Sequence, residues 1–267
     1  MRGVDVAGAA EVTDATESGD RTAIRVSGVS KSFGSTAVLT DLDLVVGMRE
    51  KVALIGPSGS GKTTVLRVLA GLERPDGGEV ALFGSTVWPR PPKAVYRRVM
   101  LDVGMVFQQF NLFPHMTALR NVMEGPMRAK GWSRGAAAEK AREVLDMVGM
   151  SGYEKSWPAQ LSGGQQQRVA IARTLAMEPR LLLLDEVTSA LDPELVGEVL
   201  AVIRRLSTDT DLTILMVTHE MTFAARSADR VLMFDSGVVV ENGPAQEVLR
   251  NPGHERTRRF LSAVLER

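Results

Sequence analysis

The sequence predicts an α/β domain with a largely parallel sheet, and three observations carry that expectation. Strand-like and helical stretches alternate along the chain from residue 22 onward. Two apolar runs, LLLLDE at 181–186 and LTILMVTH at 212–219, have no polar alternation, as strands covered on both faces do not. A glycine-rich turn, GPSGSGKT at 56–63, leads from one strand-like run straight into a helical one.

The elements follow in order. Ile24, Val26 and Val29 alternate as in a strand, and further strand-like runs lie at 42–46 and 51–55. TVLRVLAGL from Thr64 has helical spacing and stops at Gly71. In PDGGEVALFG, Asp76-Gly77 reads as a tight turn between extended pieces. The prolines of residues 88–93 (WPRPPK) exclude regular structure and predict a loop. VGMVFQQ at 103–109 is strand-like and enters a loop containing Pro114. A helix is expected over 133–148, with Ser133 as its cap and Gly149 as its stop. Another should follow Gly163-Gly164. Asp192-Pro193 supplies a cap and a first-position proline for ELVGEVLAVIRRL. RVLMFDSGVVVENG reads as a hairpin turning at Ser236-Gly237, and the chain from Pro244 is helical.

Composition narrows the function. Across 267 residues, 32 Lys and Arg balance 32 Asp and Glu, so no basic excess points to nucleic acid as a partner. The chain has no cysteine, which excludes disulfides, zinc–thiolate sites, iron–sulfur clusters and thiol nucleophiles. Its three histidines are scattered, and no run of 18 apolar residues could span a membrane. The first twenty residues hold Arg2 against Asp5, Glu11, Asp14, Glu17 and Asp20 and lack the apolar core of a signal peptide. Residues 1–21 are expected to form an acidic disordered tail, a cloning remnant and a misassigned start codon being equal alternatives, ahead of one domain over 22–267.

Three motifs carry chemistry. GPSGSGKT matches G-x-x-x-x-G-K-[ST] between a strand and a helix, where backbone N–H groups and the helix N-terminus surround phosphates. Lys62 would reach the β- and γ-phosphates, and Thr63 would offer its hydroxyl to Mg²⁺. Asp185, ending an apolar strand, suits Mg²⁺, and Glu186 can polarise a water as general base. A carboxylate pair at a strand end is by itself ordinary loop, and the phosphate loop raises the catalytic reading. Ser162, Gly163 and Gly164 open a helix, which is a simple cap in isolation. Beside the first motif it suggests a second phosphate-binding terminus, and hence two chains sharing two nucleotides.

With these motifs in this order, the chain resembles the ATP-binding subunit of an ABC transporter from about Ala23 to Leu265. The resemblance implies a P-loop NTPase with a RecA-like core, an antiparallel β subdomain and a helical subdomain inserted at about 108–178. Residues 56–63 resemble the Walker A loop, so that Gly56, Pro57, Ser58, Gly59, Ser60, Gly61, Lys62, Thr63 and Thr64 would bind nucleotide. LSGGQ at 161–165 resembles the ABC signature, assigning Ser162, Gly163, Gly164 and Gln165 to nucleotide, and LLLLDE the Walker B strand. Gln108 falls at the Q-loop position, with a metal and catalytic role; SALD, ending in Asp192, resembles the D-loop; His219 falls at the switch-histidine position. Phe33 occupies the place of an adenine-stacking aromatic, although alone it would read as core. Val187 stands where the family usually has proline, which removes a φ restraint from the loop after Glu186.

VFQQFNLFPHMTALRNV at 106–122, SALDPELVGEVL at 189–200 and NPGHERTRRFL at 251–261 are similar to importer subunits for polar amino acids, with importers of compatible solutes such as ectoine as the alternative. The resemblance implies ATP and Mg²⁺, a second copy of the chain, permease subunits docking on 104–125, an indirectly coupled extracytoplasmic solute-binding protein, and a peripheral place on the cytoplasmic face of the membrane. Phe110, Leu112, Phe113 and Met116 make that segment a docking surface or, equally, a local core. A P-loop small-molecule kinase would share GPSGSGKT but would need neither LSGGQ nor Glu186.

Overall fold

The computed structural model describes residues 21–265. The expected acidic tail lies outside these residues except for Arg21, whose carbonyl accepts from Met48 N–H. The chain enters through β1 (Thr22–Phe33) and β2 (Thr36–Gly47), then β3 (Lys51–Ile55) and α1 (Lys62–Leu69). After β4 (Gly77–Leu82), β5 (Ser85–Trp88) and α2 (Lys93–Met100), β6 (Val103–Val106) leads to three helices. These are α3 (Ala118–Ala129), α4 (Arg134–Met147) and α5 (Gly163–Leu175). Then come β7 (Leu181–Asp185), α6 (Pro193–Asp209), β8 (Thr213–Val217) and α7 (Met221–Ser227). The hairpin β9 (Arg230–Asp235) and β10 (Val238–Pro244) precedes α8 (Ala245–Arg250) and α9 (Glu255–Leu265).

Two sheets result. The antiparallel sheet has order β2-β1-β4-β5, and the six-stranded sheet has order β10-β9-β3-β8-β7-β6. Within the latter, β9, β3, β8, β7 and β6 run parallel and only β10 is antiparallel. The unbroken apolar runs are explained by the two cores on either side of this sheet. Leu181 and Leu183 of β7 face one core, with Leu54, Leu66, Leu215 and the antiparallel sheet's Ile24 and Val80. Leu182 and Leu184 face the other, with Ala53, Ile171, Val199, Ile203 and Ile214. Every β7 residue is buried because the period-2 alternation has an apolar partner on both sides.

Caps and turns settle most boundaries as the sequence suggests. Ser133 Oγ accepts from Ala136 N–H at the start of α4, and Gly149 takes φ 70° beyond its end. Ser236 and Gly237, at φ 51° and 83°, turn the β9–β10 hairpin. Asp192 sits at the cap position of α6, but its side chain makes no capping bond.

The tight turn expected at Asp76-Gly77 is absent. Gly77 already begins β4, because the residues before it form the loop leaving α1 rather than a strand. The Asp76 carboxylate instead accepts from Ser32 N–H at 2.6 Å and Lys31 at 3.3 Å, and the Ser32 bond lowers its pKa. The hairpin turns at Phe83-Gly84, both at positive φ. Helices α2, α3 and α7 are additions to the sequence reading. α3 follows a Thr117 cap, and fully buried Asn121 ties its start to the loop carbonyls of Phe113 and Met116.

Candidate active site

The candidate site lies at the carboxyl ends of β3, β7 and β8. The loop leaving β3 follows a path only glycine adopts at three points: Gly56, Gly59 and Gly61 have φ 139°, 77° and 108°. A Cβ on Gly56 would collide with the Phe234 carbonyl, and one on Gly61 would lie 2.8 Å from the Val38 carbonyl. Gly61 caps α1 without a side chain, and the first intrahelical bond runs from Val65 N–H to the Gly61 carbonyl. The N–H groups of Lys62, Thr63 and Thr64 have no acceptor among the described residues. A helix start left open in this way is suited to an anion.

Lys62 is 4% exposed. Its ammonium donates to the carbonyls of Gly56 (2.9 Å) and Pro57 (2.8 Å) and lies 3.4 Å from Ser60 Oγ. Burial pulls its pKa below the usual lysine value, against the opposing pull of Glu186 and Asp185. Thr63 Oγ1 donates to Asp185 Oδ1 at 2.8 Å. Burial pushes the Asp185 carboxyl up, with the Thr63 bond opposing. Two hard oxygens in contact at the mouth of a phosphate loop match the donor set of Mg²⁺, which takes one or two protein oxygens besides phosphates.

Glu186 follows at φ 46°, a left-handed conformation fixed from both sides. Its N–H donates to the Val217 carbonyl at 3.1 Å, and its carbonyl accepts from Ser189 N–H (3.0 Å) and Ser189 Oγ (2.7 Å). The side chain meets His219, with Oε1 3.1 Å from Nε2. That bond, with burial opposing, holds the Glu186 carboxyl below its ordinary value. Val187 is buried, so the residue replacing the usual proline packs into the core while Ser189 closes the turn.

Phe33 is 47% exposed at the end of β1, which excludes the core reading its composition suggested. The signature residues form a capping box: Ser162 Oγ accepts from Gln165 N–H (3.3 Å), and Gln165 Oε1 accepts from Ser162 N–H (2.9 Å). Cβ atoms on Gly163 and Gly164 would lie 3.2 Å from Leu191 and Leu195. The signature is therefore packed against the Asp192 loop and α6. Among the described residues, no hydrogen bond or ion pair joins 162–165 to 56–63.

Gln108 and Gln109 are both exposed, and Gln108 makes no hydrogen bond to Thr63 or Asp185. Two contacts of this segment escaped the sequence reading. Fully buried Gln167 donates to the Phe107 carbonyl at 3.2 Å, and Arg173 donates to the Asn111 (2.6 Å) and Phe110 (3.4 Å) carbonyls. Only their helical spacing after Gln165 placed them on α5; no polar pattern marks them as loop anchors. In 104–125, Phe113 is exposed while Leu112 packs on the core, so the segment is divided between surface and core.

A family model described as ABC transporter matches residues 39–189. The chain belongs to the ABC transporter family. It is a nucleotide-binding ATPase cassette, and the kinase alternative falls. The cassette is 52% identical over 247 residues to a probable amino-acid ABC transporter ATP-binding protein of Sinorhizobium fredii, spanning 89% of this chain and 96% of that one. It is 49% identical to an L-cystine transport system ATP-binding protein of Escherichia coli, spanning 91% and 98%. A glutamine transport ATP-binding protein of the same organism is 47% identical, at 90% and 99%. A solved dimeric ATP-binding cassette in a post-hydrolysis state, bound to ADP and Pi, matches at TM-score 0.74 and 32% identity, covering 83% of this chain and 98% of that one. No helix among the described residues of the cassette is long and apolar enough to cross a membrane.

Proposed function

We propose that the cassette powers an importer of polar amino acids, working as a head-to-tail dimer on the cytoplasmic face of the membrane beneath permease subunits. The observation that carries the reading is its extensive identity to ATP-binding proteins named for amino-acid transport. Residues 56–64 bind the phosphates of ATP, Phe33 stacks on adenine, and Ser162, Gly163, Gly164 and Gln165 of one chain close on nucleotide held by the other, beside the Asp192 loop. Mg²⁺, held by Thr63 and Asp185 and approached by Gln108, would neutralise charge on the phosphates. Lys62 leaves the Gly56 and Pro57 carbonyls to meet phosphate oxygens. Glu186, whose carboxyl the His219 contact holds below its ordinary pKa, orients the attacking water and takes its proton, while His219 fixes the carboxylate's direction. Phe113 and its neighbours in 104–125 offer the permease contact, and a solute-binding protein acts indirectly through the permease.

Glu186→Gln tests the chemistry and the transport role together. It keeps the size but loses charge and basicity, so it should bind Mg·ATP, accumulate as an ATP-bound dimer in gel filtration, and hydrolyse at least about a hundredfold more slowly. Cells carrying only this variant should lose uptake of a radiolabelled polar amino acid such as glutamine, arginine or cystine. Uptake of all three at the wild-type rate would reject the amino-acid reading.

A further inference from the structure

The back of the phosphate loop rests on the β9–β10 hairpin. The Phe234 carbonyl occupies the space a side chain on Gly56 would need, and the Phe234 ring would lie 3.4 Å from a Cβ on Gly61. Between these points, Gly237 N–H donates to the Ser60 carbonyl at 3.0 Å. The shape of residues 56–61 therefore depends on where the turn after Asp235 is held.

That turn is held by β2, where Thr40 N–H donates to the Gly237 carbonyl at 3.4 Å, and by the C-terminal helix. Arg256 of α9 places Nε 2.8 Å and Nη2 2.6 Å from Asp235 Oδ2. The Asp235 side chain is 13% exposed, shielded enough for a charge-assisted pair to fix its direction. The chain entering α9 is anchored to the same hairpin, because the Glu241 carboxylate accepts from Gly253 N–H (2.6 Å) and His254 N–H (3.3 Å). Pro57 lines the same cleft as Asp235, Arg256 and Phe260, so helix, hairpin and loop meet there.

We propose that the Arg256–Asp235 pair is a brace positioning the phosphate loop through the Ser236-Gly237 turn, without touching nucleotide. The inference rests on residues 56–63 being the ATP phosphate site. Asp185 and Glu186 come from β7 and are not held by this turn. Loosening the brace should thus weaken capture of the phosphates while sparing the chemical step. The brace predicts a rise in KM for ATP without a matching fall in kcat.

The test compares steady-state ATP hydrolysis and thermal unfolding for full-length wild type, Arg256→Ala, Arg256→Lys and Glu255→Ala. Glu255 lies on the same helix, pairs within it to Arg259 and does not line the cleft, so it controls for helix stability. Arg256→Ala should raise KM roughly threefold to tenfold with kcat within about twofold, as expected for losing one charge-assisted contact. Arg256→Lys, keeping the charge and a donor, should recover most of that loss, and Glu255→Ala should leave KM unchanged. An Arg256→Ala protein with a lowered melting temperature but wild-type KM would overturn the brace, as would an equal KM rise in Glu255→Ala. If Lys62→Ala retains wild-type nucleotide affinity, the underlying reading of the phosphate site fails, which is a separate outcome from failure of the brace.

Discussion

Two glycine-rich helix starts, at α1 and α5, look alike in sequence and are capped differently. The start of α1 has no side-chain cap, and the N–H groups of Lys62, Thr63 and Thr64 face outward without acceptors among the described residues. The start of α5 is partly capped: the reciprocal Ser162–Gln165 bonds engage the Ser162 and Gln165 N–H groups, and those of Gly163 and Gly164 have no acceptor among the described residues. Glycine serves different ends as well. Gly56 and Gly61 adopt positive φ to bend a loop, whereas Gly163 and Gly164 let α5 approach Leu191 and Leu195. A helix start left fully open suits a tightly held anion; one partly capped by its own side chains suits a contact that forms and breaks. The first would bind ATP in the lone chain, and the second would engage it only on assembly.

The largest effect should come from removing the charge at the open start. Lys62→Ala should weaken Mg·ATP binding by at least about a hundredfold in calorimetry, since the lost contacts are to a multiply charged anion. Ser162→Arg should do the reverse, keeping nucleotide binding in the lone chain while abolishing hydrolysis by the assembled dimer. Hydrolysis by an isolated monomer as fast as by the assembly, at any concentration, would erase the distinction between the two starts.

Phe33 is the proposed adenine contact, exposed at the end of β1. Phe33→Ala should raise the ATP dissociation constant about tenfold, with Tyr or Trp tolerated, because stacking reads a ring face. The smallest effect concerns the Glu186–His219 contact. Because it lowers the Glu186 pKa in the folded state, its stabilisation is present above the ordinary glutamate value and is lost as pH falls through the lowered one. His219→Ala should therefore cost stability at neutral pH, by less than about 1 kcal/mol for so exposed a pair. Urea denaturation should show the difference shrinking well below about pH 4.

What the sequence made legible divides along physical lines. Buried strands declared themselves, because both faces of β7 and β8 are apolar and no other arrangement hides eight such residues in two short runs. Two phosphate-loop glycines, Gly56 and Gly61, were legible for the same kind of reason, since a side chain at either would run into a neighbouring carbonyl. Short amphipathic helices were not. α2 starts directly after prolines that read as loop, and α7 spans only Met221–Ser227. Asp76-Gly77 misled because a turn dipeptide marks a hairpin only when strands flank it, and α1 had just ended. Pairings between distant residues, such as Glu186 with His219 or Gln167 with the Phe107 carbonyl, arise from topology and leave no local pattern.

The posture of Lys62 has a consequence for selectivity. Its ammonium already holds two carbonyl oxygens of its own loop, so the protein supplies an internal competitor for every incoming anion. Chloride, or a singly charged metabolite, would offer less attraction with which to displace those dipoles. A polyphosphate offers several oxygens at once and recovers the cost of the exchange. A lysine bound in this way to its own loop would therefore set a threshold on ligand valence, favouring a polyphosphate over small anions.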